Sequence, residues 1–197
     1  SLQIMNNVFT GTLPPELGDL TKMDAFYLGE TSISGPIPST FQKLTNLEQF
    51  LAGNCNDHSP CLASSNKFSP GPIPSWLVRL PRLYMLDLEN TGRTGTIPAS
   101  SGTNGLLDAL YLRNNALTGE IPAGLVSMGS ASGHGFFDAR NNQLQGTIPN
   151  FAALVGIRLS GGNTFSGCVP ASLGFCSSST SAPNFDPVPG GQTCDIT

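Results

Sequence analysis

Charge is scarce in this 197-residue chain. Asp, Glu, Lys and Arg make up 11% of it, against roughly 25% in an ordinary soluble domain. The nine Lys and Arg are fewer than the thirteen Asp and Glu, for a net charge of −4. They form no cluster, which excludes a nucleic-acid partner, since phosphate recognition needs grouped basic side chains. Two histidines are too few for an imidazole-rich site. No apolar run reaches the roughly 20 residues needed to cross a bilayer. No secretory leader opens the chain, so any such leader is expected to be cleaved or to lie upstream. Despite many Asn, no N-x-[ST] acceptor occurs, so N-glycans are not expected.

Glycine and proline, by contrast, are abundant, with 23 and 16 copies. Scattered at random, they would mark a disordered chain. Here they are punctuation. A glycine followed two residues later by an aliphatic residue and then proline recurs at Gly11, Gly35, Gly71, Gly95, Gly119, Gly146 and Gly167, with successive gaps of 24, 36, 24, 24, 27 and 21 residues. So regular an interval means one supersecondary unit stacked many times. The unit around Gly119 shows the full pattern: Leu107, Leu110, Leu112, Asn115, Leu117, Gly119, Ile121, Pro122, Leu125. Leu110 and Leu112 alternate along a short strand and point inward together. The Ile-Pro pair holds the outer side extended, because proline fixes its own φ and keeps its predecessor out of the helical region. A helical turn is expected next, as at 15–20 and 75–80.

This LxxLxLxxNxLxGxIPxxL spacing resembles the plant-type extracellular leucine-rich repeat of receptor-like and polygalacturonase-inhibitor-type proteins. The resemblance implies an α/β fold: a right-handed solenoid of about seven coils of ~24 residues. It also implies a concave parallel β-sheet, short 3₁₀ or α turns on the convex side, and a C-terminal disulfide cap. Residues 1–176 form the expected solenoid, with an insertion near 53–65, a smaller one near 129–135, and no N-terminal cap. Residues 177–197, rich in Ser, Thr, Pro and Gly, read as a tail. Strand leucines at the very start suggest an uncovered first coil, expected to be shielded by upstream residues or by a second molecule. The family places its asparagine amides in a buried ladder, here Asn7, Asn66, Asn115, Asn142 and Asn163, with Thr31 and Thr91 in the same column. A hydroxyl has fewer bonding sites than an amide, so local slack is expected at both threonines, at about 1 kcal/mol per lost bond.

The five cysteines favour an oxidising compartment. A bridge between Cys55 and Cys61 would close a short loop worth about 2 kcal/mol. By resemblance, Cys168 and Cys176 form the C-terminal cap. Cys194 is then left for an intermolecular partner, an upstream partner, or a different pairing among the last three.

Residues between and just after the strand leucines point outward on the concave sheet and form two columns. One reads Gln3, Tyr27, Leu51, Asp87, Tyr111, Asp138, Arg158; the next reads Met5, Gly29, Gly53, Glu89, Arg113, Arg140, Ser160. Tyr27, Asp87, Glu89, Tyr111, Arg113, Asp138, Arg140 and Arg158 are the candidate binding residues, since Tyr and Arg suit interface anchors and solenoids bind through this surface. No catalytic residue is assigned. Asp57, His58 and Ser59 are adjacent in one loop and cannot adopt triad geometry. Cys55, His58 and Cys61 supply three ligands where structural zinc takes four. His134 reads as plain loop. Asp87 and Glu89 lie about 6 to 7 Å apart on one strand, a spacing that suits glycoside hydrolysis, but an open sheet is expected to leave them as solvated surface charge. No metal and no cofactor are implied. Thr10, Thr12, Ser34, Ser69, Thr94, Thr96, Thr118, Thr147 and Ser166 flank the glycines, a hydroxyl column of the kind used to bind ice.

The expected function is non-catalytic recognition of a protein, peptide or cell-wall glycan outside the cell, by a fragment of a larger protein. The alternative is a structural subunit stacking head to tail, with ice binding a minor one. The insertion between Cys55 and Cys61 is a further candidate for binding, since loops on rigid scaffolds often carry it.

Overall fold

The computed structural model describes residues 1–53, 66–101, 103, 105–167, 170, 172–173 and, for the backbone alone, 193–195. The cysteines at 55, 61, 168 and 176, the residues at 57–59 and the greater part of the 53–65 insertion lie outside these described residues.

Each repeat contributes a strand from its leucine segment and a second strand around its glycine. In chain order these are β1 (Leu2–Gln3), β2 (Thr10–Thr12), β3 (Ala25–Tyr27), β4 (Ser32–Gly35), β5 (Gln49–Leu51), β6 (Lys67–Phe68), β7 (Gly71–Pro72) and β8 (Met85–Asp87). They continue as β9 (Arg93–Thr96), β10 (Ala109–Tyr111), β11 (Ala116–Gly119), β12 (Gly135–Asp138), β13 (Gln143–Thr147), β14 (Leu154–Arg158), β15 (Thr164–Ser166) and β16 (Thr193–Asp195). The leucine strands make one eight-stranded parallel sheet, β1-β3-β5-β8-β10-β12-β14-β16. The glycine strands make two flank sheets, β2-β4-β6 and β7-β9-β11-β13-β15. Short 3₁₀ helices at Pro15–Asp19, Ser39–Lys43, Leu77–Arg79 and Ala123–Ser127 close the coils. Three of them follow directly on Pro14, Pro38 and Pro122, whose ψ values of 129°, 133° and 142° keep the backbone extended up to the helix. This is the leucine-rich-repeat solenoid.

The core is a set of columns running along the stack. The middle residues of the main-sheet strands, Phe26, Phe50, Leu86, Leu110, Phe137 and Ile157, are fully buried, as are Leu28, Ala52, Leu88, Leu112, Ala139 and Leu159 two positions later. Phe26 packs on Phe41 and Phe50 with ring centroids 5.8 Å apart in both pairs. The recurrent glycine has a backbone cause. At Gly35 and Gly119 φ is +79° and +77°, and a Cβ would fall 2.8 and 2.9 Å from the Thr12 and Thr96 methyls of the preceding coils.

The asparagine column ties neighbouring coils together. Asn142 Nδ2 donates to the Leu112 and Ala139 carbonyls at 2.9 and 3.0 Å, and its Oδ1 accepts from the Leu117 N–H at 3.0 Å. Asn66, Asn115 and Asn163 bond in the same manner. Asn7 donates only within its own coil, to Ile4 and Met5. Both threonine hydroxyls bond within the column, Thr91 through a single contact where the amides make several. Thr31 Oγ1 lies 2.5 Å from Asn66 Oδ1, and Thr91 Oγ1 donates to the Leu88 carbonyl at 2.7 Å. Beside Thr91, Arg93 replaces the apolar residue that precedes the glycine elsewhere. It is 3% exposed, and its guanidinium donates to the Thr91 and Ser69 carbonyls at 2.7 and 2.6 Å.

The segment read as a tail also enters the fold. Thr193–Asp195 pairs in parallel with β14, Cys194 opposite Ile157 and Asp195 opposite Arg158, and so extends the main sheet beyond the last glycine-marked repeat.

Candidate recognition site

Register turns the sequence columns into physical rows. Tyr27, Leu51, Asp87, Tyr111, Asp138 and Arg158 are successive partners across β3, β5, β8, β10, β12 and β14. Because neighbouring strands lie about 4.8 Å apart, seven of the eight candidate residues fall into one patch over β8 to β14. Tyr27 stands apart from it. Its hydroxyl donates to Gln49 Oε1 at 2.7 Å, and the Gln49 amide bonds the Tyr84 hydroxyl.

At the β12 end the patch is a closed ion pair. Asp138 is 1% exposed; its Oδ1 accepts the Arg140 N–H at 3.1 Å, and Arg140 Nε and Nη2 donate to its two oxygens at 3.0 and 2.5 Å. Arg158 Nη1 lies 3.8 Å from the same carboxylate. The Arg158 guanidinium sits 5.2 Å from the Phe136 ring centre, and Phe136 packs at 5.5 Å on Tyr111, which adds a cation–π attraction. Phe136 is not among the sequence-derived candidates. It precedes Asp138 by two positions on one strand and therefore shares its face, the signal by which it could be found.

At the β8 end the same backbone motif carries a different charge. Asp87 Oδ1 accepts the Glu89 N–H at 2.9 Å, as Asp138 does from Arg140. The carboxylate packs over Gly53, where a Cβ would lie 2.0 Å from Oδ1. Asp87 and Glu89 are only 7% and 5% exposed, so they are not the solvated surface charges that an open sheet suggests. Burial pushes Asp87 up to about 7, with the Asp138 charge adding and the Glu89 N–H opposing. Burial, then the charges of Asp87 and Asp138, push Glu89 up to about 8 against the pull of Arg113 and Arg140. Burial and the same three carboxylates raise Tyr111. An acid/base pair needs its two pKa values driven apart; here both carboxyls move in the same direction, upward. Arg113 is half-buried beside Glu89.

Elsewhere the candidates are simpler. His134 is exposed, its Nδ1 2.7 Å from the Ser132 carbonyl. Among the described residues no group of three His, Cys, Asp or Glu is disposed to hold a metal ion, and no helix is long and apolar enough to cross a membrane. On the larger flank sheet, Thr96, Thr118, Thr147, Thr164 and Ser166 are exposed, and Gln143 and Gln145 stand among them. Ser34 and Ser166 donate inward, to the Gly11 and Gly146 carbonyls at 3.0 and 3.3 Å.

The Leucine Rich Repeat family model matches residues 106–128, the unit in which every repeat position was legible. The chain carries leucine-rich repeats and is similar to plant receptor-like proteins over much of its length. Receptor-like protein 54 of Arabidopsis thaliana is 33% identical over 132 residues, covering 61% of this chain and 17% of that protein. The plant peptide hormone receptor RGFR1, solved in complex with RGF2, is 29% identical with a TM-score of 0.72, covering 88% of this chain and 26% of its own. A plant ice-binding protein is 27% identical with a TM-score of 0.72, covering 100% of this chain and 56% of its own. The chain spans about a sixth of the length of the curated relatives it matches.

Proposed function

We propose that this chain recognises an extracellular peptide across the β8–β14 face, at the cell surface or in the cell wall, as part of a larger protein. The observation that carries the reading is the patch itself: three acids, three arginines, Tyr111 and Phe136 gathered on one side of four adjacent strands. A rigid parallel sheet presents these groups at fixed spacing, which lowers the ordering cost of binding, and aromatic and Arg side chains are the usual energetic anchors of interfaces. Solved relatives hold peptide hormones, as RGFR1 holds RGF2. The test is selection from a displayed random-peptide library, with the paired variant Tyr111→Ala and Arg158→Ala as control. Peptides that bind the wild-type chain and lose binding to the variant support the reading; an empty selection sinks it.

A second reading has its own observation. The hydroxyl and amide face of the larger flank sheet, interrupted by Glu120, suits ordered water, and the ice-binding neighbour aligns with the whole chain. Thermal hysteresis above that of an inert protein, abolished by Thr118→Lys, is its expected result.

A further inference from the structure

We propose that the Asp87–Glu89 end of the patch is the docking point for a basic side chain, an arginine or lysine, of the peptide ligand; the inference rests on the peptide-recognition reading above. The molecule contains its own template for such a contact. At β12, an aspartate whose Oδ1 accepts the N–H two residues on is met by the bidentate guanidinium of Arg140, with Arg158 between that carboxylate and an aromatic ring. At β8, an aspartate in the same row makes the same backbone bond, and Tyr111 is its neighbour on β10. The residue in the place of Arg140 is Glu89. Two carboxylates therefore stand beside Arg113, while the two other arginines of the patch are at Asp138.

Glu89 supplies an independent sign of a ligand. It is 5% exposed, and among the described residues no donor is hydrogen-bonded to its carboxylate, whose oxygens are the part that still reaches solvent; the charges of Arg113 and Arg140 act on it favourably. A carboxylate on a buried stem with no internal donor is met by water alone, and a visiting guanidinium or ammonium, which brings several N–H donors, supplies charge-assisted bonds there. The protons that burial holds on Asp87 and Glu89 near neutral pH leave as the cation arrives, so binding strengthens from about pH 6 to about pH 8. Asp138, Arg113, Arg140 and Tyr111 are the other charged or titratable groups that act on the pair.

Two measurements test the proposal. Carbon-13 carboxyl resonances of Asp87 and Glu89 are followed while N-acetyl-arginine methylamide is added, with its uncharged citrulline analogue as control. The arginine probe is expected to shift both resonances and the citrulline probe neither. Peptides selected on the wild-type chain are then assayed against Glu89→Gln, the isosteric Asp87→Asn, and Glu89→Arg, which places a guanidinium where the ligand's would sit. Each variant is expected to weaken basic peptides at least about tenfold, as loss of a charge-assisted bond does, with a single cooperative melting transition showing that the fold persists. Selected peptides that bind all three variants as tightly as wild type overturn the cationic anchor and leave peptide recognition standing. An empty selection together with arginine-specific carboxyl shifts sinks peptide recognition and upholds the cation site. Equal response to arginine and citrulline overturns the site itself.

Discussion

Asp87 and Asp138 are the same residue in the same row of the same sheet, two strands apart, and each accepts the N–H two residues on. One has Arg140 there and the other Glu89. At Asp138 the charge is matched inside the protein; at Asp87 burial opposes the charge and pushes the carboxyl up to about 7. A repeating scaffold fixes where a side chain points, and a single exchange in the adjacent column decides whether that position is finished or left to a ligand.

The largest expected effect comes from breaking the finished end. Asp138→Ala leaves Arg140 and Arg158, each 8% exposed, without their shared carboxylate. Removing one partner of a buried ion pair costs about 3 to 5 kcal/mol, to be read from urea unfolding. Glu89→Arg works in the opposite direction, converting the unfinished end into a copy of the finished one. It is expected to raise the urea midpoint at about pH 8, and an unchanged or lower midpoint would show that the two ends differ by more than this charge.

A smaller contrast lies in pH. Asp87 and Glu89 have folded-state values raised to about 7 and about 8. In the range between their ordinary values and these, the folded chain binds more protons than the unfolded one, so stability falls as pH rises. The contribution is complete below about pH 4 and lost as pH passes through 7 to 8. The melting temperature of the wild type is therefore expected to drop between about pH 5 and about pH 8, and Asp87→Asn to flatten that drop. A flat wild-type profile would count against the buried, protonated pair. The smallest effect is expected from Phe136→Leu, which removes the ring beneath Arg158 and costs about 1 kcal/mol.

Much of the fold was legible because one rule, counting from the glycine, holds in most coils, though in the third it is broken by the insertion before Gly71. It places Leu86, Leu110 and Phe137 inside and Asp87, Tyr111 and Asp138 outside, and the strand register pairs them in that order. What counting cannot give is exposure. Whether Glu89 meets solvent depends on how closely neighbouring coils approach it, a property of packing and not of period. Nor does the rule reach Thr193–Asp195, which carries no glycine-proline mark and takes its place by pairing with the β14 edge. At Thr31 and Thr91 the bonding also depends on neighbours that the column does not name, the Asn66 side chain and the Arg93 guanidinium.

That last arrangement makes the departure from the repeat hard to reverse. Arg93→Leu restores the apolar column but strips a donor from the Thr91 and Ser69 carbonyls, and Thr91→Asn does not return it, because the ladder's asparagines donate three residues back and into the preceding coil, as Asn115 does to Leu112 and Leu88. A coil that has exchanged its apolar residue for a buried guanidinium is expected to lose stability when it is put back to the regular pattern.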